Sequence, residues 1–268
     1  MTPFFFNPTA LSHLARRHRE AYQQAKPFPH VVFDDFLPRP VVETVLLAFP
    51  GPSEVAWHTT DNVHEKKLSN EDETKIPPVI RQVLHAFNSQ VFVNFLEELT
   101  GISGLISDPH FRGGGLHQIA SGGKLGIHVD FNRYKRLNLE RRLNVLLYLN
   151  KDWKEEYGGH LELWNQTMTT REKKILPIFN RCVIFTTSEI SYHGHPTPLR
   201  CPPEMSRKSL ALYYYTADAP SPDARIHSTI FQARPGEHVE EPRRSWKQFL
   251  KRLLPPIALD IFKAVRRR

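Results

Sequence analysis

Two histidines and one aspartate in the second half of the sequence have the types and spacing of a metal site. His128 and Asp130 are two residues apart in an apolar stretch, and His193 follows a second apolar stretch. On a β-strand, residues two apart project from the same face, so His128 and Asp130 could ligate one ion. Two histidines and a carboxylate form the facial triad of non-haem Fe(II) sites, which leaves coordination positions open for a co-substrate and dioxygen.

The pair alone is a weak signal. The chain has 14 histidines, and its composition supplies about half a His-x-Asp match by chance. A surface histidine beside a solvated aspartate is the ordinary alternative. The second histidine is also ambiguous, because His193 and His195 would share a face in an extended strand. The Ser-Tyr-His-Gly context at 191–194 favours His193 and leaves His195 to form a hydrogen bond or line the opening.

A basic residue stands where a keto-acid co-substrate would need one. Arg207 opens the apolar stretch 209–216, downstream of His193. The planar guanidinium offers a carboxylate two parallel charge-assisted hydrogen bonds, so we expect Arg207 to hold the far carboxylate of 2-oxoglutarate. Arg200 is the competitor, but it precedes a Cys-Pro-Pro segment in a predicted loop, which is a poor place for a fixed clamp.

Five elements in a fixed order carry a resemblance to a known family. They are Gly122-Gly123-x-x-x-x-His128-x-Asp130-Phe131, the segment 141–150, Gly158-Gly159-x-Leu161, His193-Gly194 and Arg207-x-Ser209. From about residue 113 to 216 the sequence resembles the prolyl 4-hydroxylase-like branch of the 2-oxoglutarate and Fe(II)-dependent dioxygenase superfamily. The order and spacing of all five elements are much more specific than any single one.

The resemblance implies an oxidoreductase that hydroxylates an unactivated C–H bond and decarboxylates 2-oxoglutarate to succinate. It implies Fe(II) bound by His128, Asp130 and His193, with Arg207 on 2-oxoglutarate, dioxygen as the oxidant and ascorbate to keep the iron reduced. The substrate it suggests is a prolyl or other amino-acid or peptide substrate. Two alternatives stay open: a tailoring oxygenase of a cell-surface glycan or small metabolite, and a metal-binding barrel without turnover.

Three further side chains are candidates for contact with 2-oxoglutarate. Tyr148 and Asn144 lie four apart on one face of a predicted strand, although Tyr148 could instead pack inside the barrel with its hydroxyl satisfied. Gln118 is a weaker candidate. Two departures from the family pattern weaken proline as the substrate: Arg207 replaces the lysine of many prolyl hydroxylases, and the strand 116–119 carries Gln118 without the family's tyrosine.

The elements that must position these residues follow from apolar periodicity. Helices are predicted at 9–24, 39–49 and 78–100, with a short strand at 27–36 and a polar loop at 57–75. Strands are predicted at 116–120, 125–129, 143–149, 160–163, 182–186 and 209–216. Many short strands separated by glycine turns are typical of a sandwich or double-sheet barrel.

Together with the resemblance, this pattern predicts an α+β fold with a mainly β core, a double-stranded β-helix (jelly roll) supported by N-terminal helices. A basic amphipathic helical tail is expected at the C-terminus. The predicted organisation is N-terminal support over 1–112, a catalytic core over 113–219 and a C-terminal extension over 220–268. Substrate choice is assigned to the loops at 132–140, 165–174 and 196–206.

Charge and composition limit the partners. The net charge is +8, and residues 243–268 carry nine Lys or Arg and one Asp, so the preceding 242 residues are near neutral. This distribution points away from a basic substrate channel and from nucleic acid. The expected partner is therefore a small-molecule or peptide substrate. The tail could pack on the barrel, stay solvated or contact an anionic membrane surface.

The cellular compartment of the protein is inferred from its cysteine usage and from the targeting and membrane segments that the sequence does not show. Two cysteines cannot make a disulfide framework, which favours a reducing setting. The first residues lack a basic segment followed by an apolar stretch, so no signal peptide is predicted, and no apolar run has the length of a membrane span. We therefore expect a cytoplasmic protein, with peripheral contact at the inner membrane surface if the tail binds lipid.

Overall fold

The computed structural model describes residues 6–218 and 225–237. Its described helices are α1 (Pro8–Gln24), α2 (Arg39–Leu47), α3 (Pro78–Phe87) and α4 (Gln90–Thr100). The side chain of Asn7 accepts a hydrogen bond from the amide of Ala10 and caps α1, and proline in the first turn has no N–H to satisfy. The helices predicted at 9–24 and 39–49 are confirmed to within two residues.

The single helix predicted at 78–100 is wrong, because the chain breaks between α3 and α4. Asn88 ends α3, and Ser89 is extended and caps α4 through its side chain. Serine favours this position because its hydroxyl can accept from a free amide of the first turn. Both helices bury their apolar residues in one core, so the apolar periodicity runs through the break and hides it.

Within the described residues, fourteen antiparallel strands form one sheet. They are β1 (His30–Phe33), β2 (His58–Asp61), β3 (Glu65–Asn70), β4 (Ile106–Ser107), β5 (Gly115–Ala120), β6 (Lys124–Val129), β7 (Arg133–Tyr134), β8 (Leu139–Tyr148), β9 (Leu161–Trp164), β10 (Arg171–Ile175), β11 (Cys182–Thr186), β12 (His193–His195), β13 (Ser206–Thr216) and β14 (Ile230–Phe231).

The strand order places two groups of strands on either side of β3. The order is β1-β11-β8-β13-β5-β3-β6-β12-β9-β10. Four further strands lie off this path: β2 pairs with β3, β4 with β13, β7 with β8 and β14 with β6. The sheet curls into a half-barrel, and residues of both groups line one cleft. The predicted mainly β jelly roll with supporting helices is confirmed. All six strands predicted after residue 113 are present, one with the predicted ends (182–186) and five with shifted ends.

The polar loop predicted at 57–75 is wrong, because this segment contains the β2–β3 hairpin. Its strands are half-exposed, so they carry almost no apolar alternation for a sequence pattern to detect. β3 pairs with both β5 and β6 and therefore joins the two groups of strands. The hairpin also contributes to the wall of the cleft.

The main hydrophobic core lies between the helices and the outer face of β8, β11 and β13. Two buried tyrosines tie the layers together. The hydroxyl of Tyr214 donates to the carbonyl of Phe87 at 2.9 Å, and the hydroxyls of Tyr22 and Thr186 lie 2.8 Å apart. The strands that carry the cleft therefore rest on a fixed helical support.

The chain divides into two compact units, Met1–Glu237 and His238–Arg268. The second unit, and with it the predicted basic amphipathic helix, lies outside the described residues. The predicted boundaries at residues 112 and 219 stay predictions. Among the described helices, none has the length and apolar character needed to cross a membrane.

Candidate active site

The structure brings His128, Asp130 and His193 together. His128 and His193 are directly opposite each other in the antiparallel pair of β6 and β12, and their ring centroids are 4.4 Å apart. Asp130 follows the end of β6. One carboxylate oxygen lies 3.7 Å from Nε2 of His128, and the other lies 3.5 Å from Nε2 of His193.

Both imidazoles are oriented by backbone carbonyls. Nδ1 of His128 is 2.9 Å from the carbonyl of Gly126, and Nδ1 of His193 is 2.8 Å from the carbonyl of Ser191. A carbonyl can only accept, so each Nδ1 donates, and in the neutral form of the ring Nε2 carries the lone pair. Metal-binding histidines are commonly held in this way, with the outer nitrogen donating and the inner one free for the ion.

The three side chains fit one metal ion. One ligand atom from each lies within 4.8 Å of the others. Atoms that share an ion must be within roughly 4 Å of one another, because each bond is about 2.1 Å, so a small adjustment suffices. Burial and the neighbouring His128 lower the pKa of His193 to about 4, which keeps that ring neutral. The two-histidine, one-carboxylate set is that of a non-haem iron site.

A buried pair of polar residues holds the aspartate. Nδ2 of Asn144 donates to Oδ2 of Asp130 at 2.8 Å, and Nη2 of Arg141 lies 3.2 Å from the same oxygen. Arg141 also donates to Oδ1 of Asn144. Burial raises the pKa of Asp130, but the nearby Arg141 guanidinium outweighs it and holds that pKa well below its usual range.

Sequence reasoning assigned no role to Arg141. Its guanidinium carbon lies 3.5 Å from the ring centroid of Tyr213 and 4.5 Å from that of Phe131, and its exposure is 4%. Residues three apart on a regular strand face opposite sides. The ladder between β8 and β13 skips Arg142, so Arg141 and Asn144 both line the cleft although they are three residues apart. Strict strand alternation does not anticipate that irregularity.

Arg207 is a buried cation without an acidic partner. It lies on β13 with 5% exposure, and among the described residues it forms no ion pair with a carboxylate. Nε donates to the carbonyl of Gly159 at 2.8 Å, and Nη2 donates to the hydroxyl of Tyr148 at 3.2 Å. Burial lowers its pKa. A buried charge is costly until it is paired, so the site favours an anion.

His195 lies outside the triad, on the wall that Arg207 also lines. Its exposure is 3%, and both ring nitrogens lack a hydrogen-bond partner among the described residues. Burial, and then the charge of Arg207, lower the pKa of His195 well below its usual value, so the ring is neutral. A neutral imidazole offers a ligand one donor and one acceptor.

The other predicted contacts take different positions. Tyr148 does not line the cleft but holds Arg207, and Asn144 uses its amide on Asp130 and Arg141. Gln118 points away from the cleft wall formed by its neighbours on β5 and donates to the hydroxyl of Ser206 at 2.8 Å. Arg200 lies outside the cleft.

The site lies in a cleft of about 850 Å³, which we call the active-site cleft. Its outer wall comes from the β2–β3 hairpin, the β7–β8 hairpin and the segment 227–231. The loop predicted at 132–140 therefore contributes, through residues 133–136. The segments 165–174 and 196–206 do not line the cleft, and their role in substrate choice stays a prediction.

The fold and this site define a jelly-roll oxygenase of the non-haem iron type. Residues 114–215 match the family model described as the 2OG-Fe(II) oxygenase superfamily. This part of the chain is a 2OG-Fe(II) oxygenase domain, and the protein is a 2-oxoglutarate-dependent iron dioxygenase with Fe(II) and 2-oxoglutarate as its cofactors. No curated protein matches the chain.

Solved structures share the fold at low sequence identity. A prolyl hydroxylase from Trichoplax adhaerens, in complex with a hypoxia inducible factor peptide fragment, is 18% identical with a TM-score of 0.55, and the match covers 77% of this chain and 91% of that one. A Pseudomonas putida prolyl-4-hydroxylase is 16% identical with a TM-score of 0.53, over 76% and 99%. The resemblance to the prolyl 4-hydroxylase-like branch is confirmed at the level of the fold.

HygX from Streptomyces hygroscopicus, with nickel, 2-oxoglutarate and hygromycin B bound, has the same fold. It is 11% identical with a TM-score of 0.52, and the match covers 81% of this chain and 97% of that one. Structures with this fold therefore include complexes with a peptide and with a small molecule.

Proposed function

We propose that the protein hydroxylates an unactivated C–H bond of an amino-acid, peptide or small-molecule substrate that enters the active-site cleft. The observation that carries the proposal is the presence, on one cleft wall, of a metal-binding triad and a buried arginine without an acidic partner. When bound, iron and 2-oxoglutarate supply the oxidation: dioxygen is consumed, 2-oxoglutarate is decarboxylated to succinate, and the substrate gains one oxygen atom.

In this proposal the residues of the triad hold the iron. Their carbonyl partners fix the two imidazoles, and Asn144 and Arg141 keep Asp130 ionised and in place. These supporting contacts matter because a ligand that must reorient before binding loses metal affinity.

Arg207 binds the distal carboxylate of 2-oxoglutarate. Two hydrogen bonds, to Gly159 and Tyr148, fix its guanidinium from two directions, and the side chain lines the cleft. His195 adds a neutral N–H donor beside it. Tyr148 is thus a positioning residue, and Arg207 and His195 are the binding residues.

Two classes of substrate are compatible with the proposed function, a peptide and a small molecule. The prolyl hydroxylase neighbour with its peptide supports an amino-acid or peptide substrate. The HygX neighbour with hygromycin B supports the alternative, a tailoring oxygenase of a small metabolite or glycan. A barrel without turnover is less well supported, since it leaves the buried charge of Arg207 unexplained.

The test is conversion of 2-oxoglutarate to succinate by the purified protein with Fe(II), dioxygen and ascorbate. We expect slow substrate-independent turnover, its loss in His128→Ala and a raised 2-oxoglutarate requirement in Arg207→Ala. Arg200→Ala is the matched control, because it removes the competing arginine outside the cleft. Product analysis by mass spectrometry then seeks one added oxygen in candidate peptides and metabolites; if consumption of 2-oxoglutarate never accompanies an oxygenated product, hydroxylation is ruled out.

A further inference from the structure

The active-site cleft is strongly basic, although the chain before residue 243 is near neutral as a whole. Its lining contains eight Lys or Arg side chains and four carboxylates. The cations are Lys67, Lys75, Arg112, Arg133, Lys135, Arg136, Arg141 and Arg207, and the carboxylates are Glu65, Glu71, Asp72 and Asp130. The sequence-based expectation that no basic substrate channel exists is therefore wrong: the overall balance hides a local excess.

Each of the four carboxylates has a cationic partner within the same lining. The pairs are Glu65 with Lys67 at 3.3 Å, Glu71 with Arg112 at 3.0 Å, Asp72 with Lys75 at 2.7 Å and Asp130 with Arg141 at 3.2 Å. Four cations remain without a carboxylate among the described residues. One is Arg207, which the proposed function assigns to 2-oxoglutarate, and the other three are neighbours in sequence.

These three residues form one element, the basic hairpin at 133–139, in which β7 turns back into β8. Arg133 has 8% exposure, and its Nε and Nη2 donate to the side chain and backbone carbonyl oxygens of Asn138, which are neutral acceptors. Lys135 and Arg136 occupy the exposed turn. Hydrogen bonds to neutral oxygens hold Arg133 in place, and although Glu140 is opposite it in the ladder of β7 and β8, Arg133 forms no ion pair with a carboxylate of the described residues.

The hairpin is anchored rather than loose. Tyr134, between the cations, is buried with its ring 5.6 Å from that of Tyr215 on β13. Arg133 follows Asp130 by three residues, so their Cα atoms are at most about 11 Å apart. An anion held by this hairpin would therefore lie within the same small cleft as the reacting C–H bond.

We propose that the prime substrate carries a compact anionic group, a carboxylate, phosphate or sulfate, which Arg133, Lys135 and Arg136 bind at the mouth of the active-site cleft. This inference rests on the proposed function, because it assumes that the molecule bound there is the one hydroxylated. The metal ion and 2-oxoglutarate carry opposite charges of similar size, so together they barely change the net charge of the cleft. The positive charge of the hairpin therefore stays available for the substrate. The same excess would repel cationic substrates.

The test is calorimetric titration of the full chain, loaded with Zn(II) and saturated with 2-oxoglutarate, at constant ionic strength. The probes are inorganic phosphate, sulfate and the blocked tripeptides Glu-Pro-Glu and Gln-Pro-Gln. We expect at least one anionic probe to bind, with the acidic peptide preferred over its neutral counterpart if carboxylate is the recognised group. Lys135→Glu/Arg136→Glu should weaken that binding about tenfold or more, the size of one charge-assisted hydrogen bond.

The matched control is Arg17→Glu/Lys173→Glu, which makes the same charge change at two exposed positions outside the cleft. It should bind the probes like the unaltered protein. Equal weakening in both variants would mean a diffuse charge effect and overturn the proposal. Failure of every anionic probe to bind better than the neutral peptide would also overturn it, as would tight, variant-sensitive binding of oligothymidylate alone, which would indicate a nucleic-acid substrate.

The proposed function is measured separately, through the visible absorption band that the unaltered protein gives with Fe(II) and 2-oxoglutarate without oxygen. If the absorption band is normal but no anion binds, the proposal of an anionic substrate group is overturned and the proposed function is not. Anion binding without the band removes the proposed function and leaves the hairpin as an anion site of another role.

Discussion

The guanidinium of Arg207 donates a hydrogen bond of 3.2 Å from Nη2 to the hydroxyl of Tyr148, a side chain that is itself fully buried. A second bond, from Nε to the carbonyl of Gly159 at 2.8 Å, fixes the same fork from another direction. The arginine is therefore preorganised, and binding a carboxylate costs little further side-chain entropy.

Tyr148→Phe removes one of the two anchors while keeping the aromatic packing. We expect the KM for 2-oxoglutarate to rise about 3- to 10-fold, the effect of one lost hydrogen bond, with kcat nearly unchanged. The measurement is steady-state kinetics of succinate formation. Tyr157→Phe, which alters a tyrosine packed on Trp153 outside the cleft, is the control. An unchanged KM would mean that Tyr148 does not position Arg207.

Gly159→Ala should disturb Arg207 directly. A Cβ at Gly159 would lie 2.9 Å from Cδ of Arg207 and 2.6 Å from a methyl carbon of Leu199, and the residue has a φ of +71°. Gly158 has the same φ but nothing within 4 Å of its Cβ position. Gly158→Ala therefore introduces only the backbone strain of a positive φ, without a steric clash. Calorimetric 2-oxoglutarate affinity should fall at least about fivefold in the first variant only; similar affinities would disprove the steric account.

Substitutions of His195 and His193 should affect different ligands, although the two residues are only two positions apart. His195→Leu keeps the triad, so metal affinity should stay near normal while 2-oxoglutarate affinity falls about 3- to 30-fold through loss of an N–H donor. His193→Ala should lose most metal binding. Both affinities can be measured by titration with Co(II) and 2-oxoglutarate. The reverse result, with metal lost in the His195 variant and kept in the other, would make His195 the second histidine ligand.

Arg141 should set the pH range of metal binding. Protons compete with the ion for Asp130, so affinity falls as pH drops through the pKa of that carboxyl. The guanidinium holds this pKa low, so Arg141→Gln raises it, and metal affinity should begin to fall at a higher pH than in the unaltered protein. Metal affinity at neutral pH should also drop about 10- to 100-fold.

The measurement for Arg141→Gln is a Co(II) titration at several pH values between about 5 and 8. Arg142→Gln is the control, since that neighbouring arginine pairs with Asp218 instead. Parallel pH curves for all three proteins would show that Arg141 does not control the ionisation of Asp130.

The sequence predicted the elements that share one strong pattern. Strand alternation, which is a local property, predicted that His128 and Asp130 share a face, and the Ser-Tyr-His-Gly context together with the family resemblance indicated His193. The split between α3 and α4 and the half-exposed β2–β3 hairpin were not predicted, since the first is hidden by a common buried face and the second lacks apolar alternation. The metal-binding and 2-oxoglutarate roles of the site residues stay predictions.

Long-range relationships were beyond the sequence. The partnership of Arg141 with Asp130 depends on a ladder irregularity, and the unpaired basic hairpin appears only when each carboxylate in the cleft is matched with its cation. Gln118 was predicted as a weaker candidate contact, yet it does not line the cleft and donates to the hydroxyl of Ser206. Ascorbate use and cytoplasmic location also stay predictions.

The most direct test of the central claim is an anaerobic titration of the protein with Fe(II) and then 2-oxoglutarate, followed by visible absorption. We predict a saturable band for the unaltered protein, none for His128→Ala, and a band that needs about tenfold or more 2-oxoglutarate in Arg207→Ala. A protein that binds neither Fe(II) nor 2-oxoglutarate, or a band that survives unchanged in His128→Ala, would contradict the assignment of this site.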